Sequence, residues 1–597
     1  MFEKYENLEF ISENCILDAG ENACEISNRE FWNNVKKGLP KRFFSMESDF
    51  ENIPELSATL YMDYFRTGSR SNFEDPYFMR RKALSYFTVC EAIENKGRYL
   101  DRIIDLLFKI LQETTWVVPS HAAISDNSDC LPDANNEIID LFAAETGATL
   151  SFVYDVLHNK FDSVSKNISP RIIKKLRHRI IDCYNSHNDF FWFGFDGRRV
   201  NNWNPWINSN ILRVARTVCG HDEACKVMLK VMKSLDCYLR WYPEDGACDE
   251  GPVYWFKAGV CLMECIAMLK EYSGGTIDLY SQQKIKNTLE FYSKIYVGGG
   301  RAVNFADAAS KSICSYGVLY HAAKAAGNTE MINFCADMKK RFCDTVPITL
   351  QEPWRVINLA EANNELGEPK AVKYPPEVYF NSIQLFTKRT ADGIFFAAKG
   401  GNNDESHNHN DVGNFMIFKN AVPYVVDSGN MRYTRDTFSE KRYTIWTNRS
   451  EFHNLPTIGG CNQHEGALYK AENVIYKPGF FSVDIQNAYE NSNDIVFWKR
   501  SFEFSGGVCV KDEYEFKKPI EITLNFLFAL KPDITPEGFV FDGKFKMIFD
   551  MAQFNINCEE IELKDKLLEN SWGDRLYRFC LEKKQTDSHG VIRYSFF

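Results

Sequence analysis

The chain has 597 residues, of which 45% are hydrophobic, 25% charged and 14% aromatic, a globular composition that excludes a disordered tail. Its 70 Lys and Arg against 81 Asp and Glu leave a net charge of -11, which excludes a general nucleic-acid or anionic-membrane binder, because such a protein needs a basic footprint. At roughly 150 residues per domain, two to four domains are expected.

Residues 1–20 alternate acidic and apolar side chains, with neither a basic start nor a continuous apolar run, so no signal peptide is read there. No window reaches the roughly 20 uninterrupted apolar residues that span a bilayer. The 18 Cys are scattered, without a CxxC pair, as buried reduced thiols are. A cytoplasmic location, or a secreted or periplasmic one if a leader was removed, and no membrane partner are therefore expected.

Apolar residues recur at i, i+3, i+4 and i+7 over 98–112, 137–157, 170–183, 224–239, 260–272, 281–296 and 315–326, and this spacing predicts a helix in each. Seven helices on short loops imply stacked helical hairpins, in an incomplete ring or a solenoid. After Pro353 the texture changes. Residues 353–374 read as a polar linker with at most one short helix, which Pro375-Pro376 ends. Beyond them, alternating runs bounded by Gly, Asp, Asn or Pro predict strands over 382–386, 393–398, 415–418, 424–427, 474–476, 480–485, 495–504, 507–516, 522–530, 545–549 and 575–581. Strands at this spacing make an antiparallel β-sandwich or jelly roll. The expected division is an N-terminal extension over 1–80, a helical domain over 81–352, a linker over 353–374 and a β domain over 375–597.

Three segments carry the candidate chemistry. The first, RRVNNWNPWINSN over 198–210, interleaves amides that bond hydroxyls with indoles that stack on sugars, although Asn residues in a helix-capping turn give the same composition. In the second, DGACDEGPVYWF over 245–256, Tyr254 stands at a loop-to-helix junction, where a phenol either transfers protons or packs. The third, SHNHNDVG over 406–413, separates His407 from His409 by one residue. On an extended backbone both rings leave the same face and serve one site or two adjoining ones. With Asp427 and His453 they make a candidate Zn2+ set, since Zn2+ takes His and carboxylate ligands. Between these two residues, Arg432, Arg435, Lys441, Arg442 and Arg449 outnumber Asp436 and Glu440. This stretch reads either as a solvated loop or as an anion-binding wall.

In these residues the chain resembles the heparinase II/III-like polysaccharide lyases, a group that includes heparinase II, heparinase III and several alginate and oligo-alginate lyases. NNW, GPVYW, HNHNDVGNF, VVDSG and FHN occur in that order along most of the chain. The resemblance implies an α+β multidomain fold, an N-terminal incomplete (α/α) toroid of helical hairpins followed by a C-terminal antiparallel β-sandwich. It also implies β-elimination on uronic-acid glycans, glycosaminoglycans above alginates, to leave a 4,5-unsaturated end. Residue by residue it implies Tyr254 as catalytic acid and in some members also base, His407 as an active-site His and the alternative base, and Asn202 as the neutraliser of the uronate carboxylate. His409, Asp427 and His453 match a structural Zn2+ set. NNW departs from the NNH of many members, with Trp203 where an imidazole often stands.

Trp203, Asn204, Trp206, Arg198, Arg199, Trp116, His121, Arg432, Arg435 and Glu250 are the candidate substrate-binding residues, and the loop 304–307 is a further candidate lining. The expected partner is an acidic oligo- or polysaccharide, met by a local positive cleft in an acidic shell. Two alternatives remain open. One is a glycoside hydrolase using carboxylates such as Asp249 and Glu250, which adjoin in sequence and so do not face each other across a sugar. The other is a non-catalytic glycan-binding protein.

Overall fold

The computed structural model describes residues 1–17, 24–124, 129–133 and 135–597. The chain forms two compact units. One comprises Met1–Tyr242, Phe256–Leu289 and Ile313–Val372; the other comprises Pro243–Trp255, Glu290–Ser312 and Lys373–Phe597.

The first unit is helical. Every helix expected from spacing is present: Leu100–Gln112, Leu141–Val164, Ile168–Leu176, His221–Trp241, Gly259–Tyr272, Gln283–Ile295 and Tyr316–Ala325. Leu100–Gln112 shows why. Its Ile103, Leu106, Leu107, Ile110 and Leu111 are all buried along one stripe, each contributing about 1.5–3 kcal/mol. Ser71–Glu94 was not anticipated because it is buried nearly all round, from Tyr77 to Ile93, and so has no stripe. The stretch expected to be a linker holds a 13-residue helix, Pro353–Glu365. It begins with Pro at a first-turn position, where no backbone N–H is needed, and buries Trp354, Arg355 and Leu359. Residues 1–80 belong to the same helical unit, with helices at Arg29–Gly38 and Ala58–Thr67. Among the described residues one stretch, Gly251–Tyr272, is long and apolar enough to cross a membrane, but 72% of its window is buried, as in a core helix.

A buried charge network crosses the helical unit. Arg355 bonds Glu264 at 2.8 Å and Glu352 at 3.1 Å, and Lys257 pairs with Glu352 at 3.1 Å and with Glu145 at 3.8 Å. Burial pushes the Glu145 carboxyl up to about 7; Lys257 pulls it back, while Glu352 adds to the rise. A carboxyl raised by folding favours the folded state below its unfolded value near 4.5, and that contribution is lost as pH rises through 7. Glu145→Gln is therefore expected to gain melting temperature relative to the parent as the buffer moves from pH 5 to pH 8. A difference in melting temperature that stays constant across this range contradicts the assignment.

The second unit is built on two antiparallel sheets. In one, eight strands follow the order Glu472–Lys477, Phe480–Asp484, Ile495–Glu503, Val508–Ile520, Asp587–Phe596, Phe545–Phe549, Gly538–Phe541 and Asp533–Thr535. The other has nine. Phe554–Glu562, Arg575–Lys583, Ile522–Phe528, Val422–Val425, Phe415–Lys419, Ile394–Lys399, Leu385–Arg389 and Glu377–Phe380 run in order, and Pro456–Ile458 pairs with Ile522–Phe528. Side chains from both sheets, among them Phe386, Phe396, Phe415, Trp498, Phe502, Tyr594 and Phe596, form a single core. A core fed by two antiparallel sheets is a β-sandwich. The fold class is thus the expected one, helical hairpins followed by an antiparallel sandwich.

Candidate active site

The loop Asn304–Ala308 holds the centre of the candidate site in the sandwich unit, and two glycines let the chain approach it. A Cβ on Gly251 would lie 2.9 Å from the Phe305 carbonyl, and one on Gly429 would lie 2.5 Å from the Ala308 carbonyl; both residues have positive φ, 85° and 75°. Gly251 opens the one-turn helix Gly251–Trp255 that carries Tyr254, so Tyr254 lies in its own short turn and the following helix starts at Gly259. Asn304 donates to the Asp427 carbonyl at 3.2 Å. Two residues without a glycine's freedom, Ala306 at φ 69° and His407 at φ 58°, adopt left-handed backbone, which costs about 1–2 kcal/mol each. The Asp307 N–H donates to the His407 carbonyl at 3.1 Å, fixing one strained segment to the other.

Asp307 organises the side chains. One carboxylate oxygen accepts from His409 Nε2 at 3.1 Å and is ion-paired with Arg442 at 3.0 Å; the other accepts from His407 Nδ1 at 3.0 Å and from the Tyr433 hydroxyl at 3.1 Å. Burial alone would raise this carboxyl. The hydrogen bonds from His407 and His409, with the charge of Arg442, outweigh burial and hold it far below the usual carboxylate range. Asp307 is therefore an anion that only accepts. His407 and His409 do serve two adjoining sites, through opposite oxygens of this carboxylate. They do so from an irregular loop and not from the extended strand expected by their spacing.

The protons follow from these contacts. Burial, with the neighbouring Asp307 charge, pushes the Tyr433 hydroxyl well above its usual value, so it stays protonated and donates to Asp307. Tyr254 Oη lies 2.8 Å from Tyr433 Oη, and because the Tyr433 proton is engaged, Tyr254 is the donor. His407 likewise gives its Nδ1 proton to Asp307, which leaves Nε2 as the ring's basic nitrogen. That nitrogen faces Glu250 Oε2 at 3.5 Å, and Glu250 is buried. The Tyr254 ring stacks on the His407 ring with centroids 4.1 Å apart, setting a phenol donor beside an oriented imidazole. Phe438, 57% exposed, stands edge-on to both His407 and Tyr433.

His409, Asp427 and His453 also come together, each with a ligand atom within 4.8 Å of the others and all three fully buried. His409 Nδ1 and His453 Nε2 have no hydrogen-bond partner, and an unsatisfied buried polar atom costs about 1–3 kcal/mol. Burial would raise Asp427, but His453, His409 and the Gly429 N–H bring it below its ordinary value. Two unpartnered imidazole nitrogens beside an anionic carboxylate fit a divalent cation. The motif asparagines brace this set. Asn414 donates to Asp427 at 2.8 Å and accepts from Asn454 at 3.1 Å, and Asn454 donates in turn to the carbonyls of Phe415 and Val426.

The other candidates lie in the helical unit or on exposed loops. Asn202 is buried at the start of helix Trp203–Val218, and its side chain does not cap that helix. Asn204 is a correction: it is fully buried and its amide N–H groups donate to Trp192 and Ser234, so it braces the helical unit, with its Oδ1 left without a hydrogen-bond partner. Trp116 is corrected likewise, being 1% exposed under the Arg179 guanidinium with its indole N–H on the Ile110 carbonyl. Trp206 is buried, donates to Glu145 at 3.2 Å and lies beneath the Lys257 ammonium. Trp203 is half-buried between His121 and Phe191, and His121 is held by Asp140 at 2.8 Å. Arg198 is exposed and paired with Asp196, and Arg199 is exposed. In the sandwich unit Arg432 and Arg435 are exposed, whereas Arg442 is engaged by Asp307 and Arg449 by Glu451.

The sequence pattern reaches Asp307 only as the end of a lining loop, gives Tyr433 no role, and leaves Arg442 in a stretch that reads either as a solvated loop or as an anion-binding wall. Asp307 stands a hundred residues before His407, so no local spacing links them. Tyr433 did carry a faint signal, an aromatic between Arg432 and Arg435 in the loop after VVDSG.

No protein-family model matches the sequence, and no curated protein matches it. Solved structures do match. A heparinase III aligns at TM-score 0.58 and 13% identity, over 92% of this chain and 84% of that one. A heparan sulfate lyase from Pedobacter heparinus aligns at TM-score 0.57 and 11% identity, over 99% and 87%. A chondroitin AC lyase from Streptomyces coelicolor, solved with chondroitin sulphate, aligns at TM-score 0.54 and 11% identity, over 100% and 82%. What is shared at these identities is the fold, that of the heparinase III-type polysaccharide lyases.

Proposed function

We propose that the chain is a polysaccharide lyase that cleaves uronic-acid-containing glycans by β-elimination. The observation that carries this reading is the stacked pair of Tyr254, a hydroxyl donor, and His407, an imidazole oriented by Asp307. The likeness to lyases that act on heparan sulfate and chondroitin supports an acidic glycan as substrate. His407 Nε2 takes the C5 proton, the electrons form the C4=C5 bond, the C4–O bond breaks, and Tyr254 gives its proton to the leaving oxygen. Charge builds on the uronate carboxylate as the proton leaves, so that carboxylate requires a hydrogen-bond donor or cation at its side. Phe438 offers an exposed apolar face for the pyranose. After cleavage His407 Nε2 releases its proton to solvent and Tyr254 regains one from it, while Tyr433, with its hydroxyl 2.8 Å from Tyr254 Oη, keeps the phenol in place. Asp307, held as an anion by three hydrogen-bond donors and the Arg442 charge, has no proton to give and so cannot serve as the acid of a hydrolase pair. A screen of uronate polysaccharides and their oligomers, read by the ultraviolet absorption of the unsaturated product, tests the proposal. New reducing ends without that absorption support a hydrolase, and binding without either product supports a glycan-binding protein.

His409, Asp427 and His453 are proposed to hold Zn2+, which when bound supplies charge and rigidity beneath the site. His409 gives its other ring proton to Asp307, so the same carboxylate orients the ligand and the catalytic His407. His453→Ala is expected to lower zinc content by one equivalent per chain and to lower the melting temperature. Unchanged zinc content in this variant contradicts the assignment.

A further inference from the structure

A second group of metal-type donors lies in the helical unit, formed by residues more than 200 positions apart in sequence. Cys15 directly follows the helix Leu8–Asn14, while His221 and Cys225 stand one turn apart at the start of helix His221–Trp241. The ligand atoms of these three residues all lie within 4.8 Å of one another. Met228, the next residue on that helix face, brings its thioether sulfur to 3.7 Å from the Cys15 sulfur. The His221 ring nitrogens stand 3.9 and 4.0 Å from the Cys225 sulfur. Both cysteines and Met228 are buried, and the half-exposed His221 closes the group on the water side.

The Cys15–Met228 and Cys225–His221 separations are close to two edges of a coordination tetrahedron. With bonds of about 2.3 Å to sulfur and about 2.0 Å to nitrogen, two sulfurs sharing an ion sit about 3.8 Å apart, and a sulfur and a nitrogen about 3.5 Å. Two thiols, a thioether and an imidazole, with no carboxylate among them, form a soft donor set that selects thiophilic ions over Mg2+, Ca2+ or Mn2+.

We propose that Cys15, His221, Cys225 and Met228 bind one thiophilic d10 cation, Zn2+ or Cu+, each thiol releasing its proton to solvent as its sulfur takes the metal. The site ties the N-terminal helix to the body of the helical unit. Leu8–Asn14 has seven residues, too few to be stable alone, and its neighbouring anchor is Asp236, which accepts from the Met1 ammonium and the Phe2 N–H. The ion turns that attachment into a crosslink between residue 15 and residues 221–228.

The test uses the full-length chain, stripped of metal, held reduced with a phosphine and checked for retained fold by circular dichroism. Titration with Co2+, as a stand-in for Zn2+, is expected to give a near-ultraviolet thiolate-to-metal charge-transfer band that saturates at one equivalent. The histidine–aspartate set in the sandwich unit has no sulfur and gives no such band, so the two assignments stand or fall separately. In the Cu+ arm, competition against a chromophoric Cu+ chelator is expected to show one tight equivalent. Cys225→Ser is expected to abolish both signals. His221→Ala, at a half-exposed position where folding is not at risk, is expected to weaken binding at least tenfold. Met228→Leu tells the ions apart: a tenfold loss in Cu+ affinity with the Co2+ band intact identifies a Cu+ site, and equal retention of both identifies a Zn2+ site with three protein ligands. Folded protein that gives neither a charge-transfer band with Co2+ nor a Cu+ equivalent sensitive to Cys225→Ser overturns the proposal.

Discussion

Replacing Tyr254 by Phe is expected to lower turnover of the uronate substrate by about 10²- to 10⁴-fold, the range that a positioned general acid contributes. The substitution removes one hydroxyl and keeps the ring that stacks on His407 with centroids 4.1 Å apart. The loss should appear in kcat, because the proton is given in the transition state and not on binding. Stability should fall by only about 1 kcal/mol, the net worth of the hydrogen bond to Tyr433. Retained turnover with an unchanged melting curve would remove Tyr254 from the mechanism. Retained KM with lost kcat supports it.

Asp307→Asn is expected to have the second large effect, on both activity and stability. The carboxylate accepts three hydrogen bonds, from His407, His409 and Tyr433, and is ion-paired with Arg442. An amide supplies one acceptor oxygen and turns an NH2 donor toward groups that are themselves donors. Arg442, mostly buried, loses its counter-ion, and breaking such a pair costs about 3–5 kcal/mol. His407 loses the acceptor that keeps its proton on Nδ1, so its basic nitrogen is no longer held at Nε2; orientation of this kind is worth about 10³- to 10⁴-fold in turnover in other Asp–His pairs. The readout that separates positioning from mere destabilisation is the pH profile of kcat at a temperature where the variant stays folded. A displaced acidic limb, the limb set by the base His407, supports positioning, and a profile scaled down without displacement contradicts it.

Most of the architecture was legible because it rests on period. Helices such as Leu100–Gln112 carry a one-sided stripe, and strands such as Val508–Ile520 alternate over most of their length. Elements escaped notice where burial erased the period, as in Ser71–Glu94, or where half of a strand is polar. Asp587–Phe596 is one such strand, showing its alternation only at Ile592, Tyr594 and Phe596. The site was legible to the extent that it is local. His407 and His409 lie two residues apart, and each of the other motif residues, Tyr254, Asp427 and His453, sits in a recognisable short string. The residue that joins them was not legible, because Asp307 acts through contacts between a loop at 304–308 and segments a hundred or more residues away. Asn204 and Trp116 show the opposite error. Amides and indoles that resemble a sugar site in composition are buried and hydrogen-bonded within the helical unit.

The central claim is that the glycan is cut by elimination, and the most direct measurement is digestion of a susceptible uronate oligosaccharide in water enriched in ¹⁸O, with the products read by mass spectrometry. Elimination breaks the C4–O bond without adding water, so the predicted fragments sum to the mass of the parent, one carries the C4=C5 double bond, and neither gains label during cleavage. Fragments that together exceed the parent by one labelled water would contradict the account and make the protein a hydrolase.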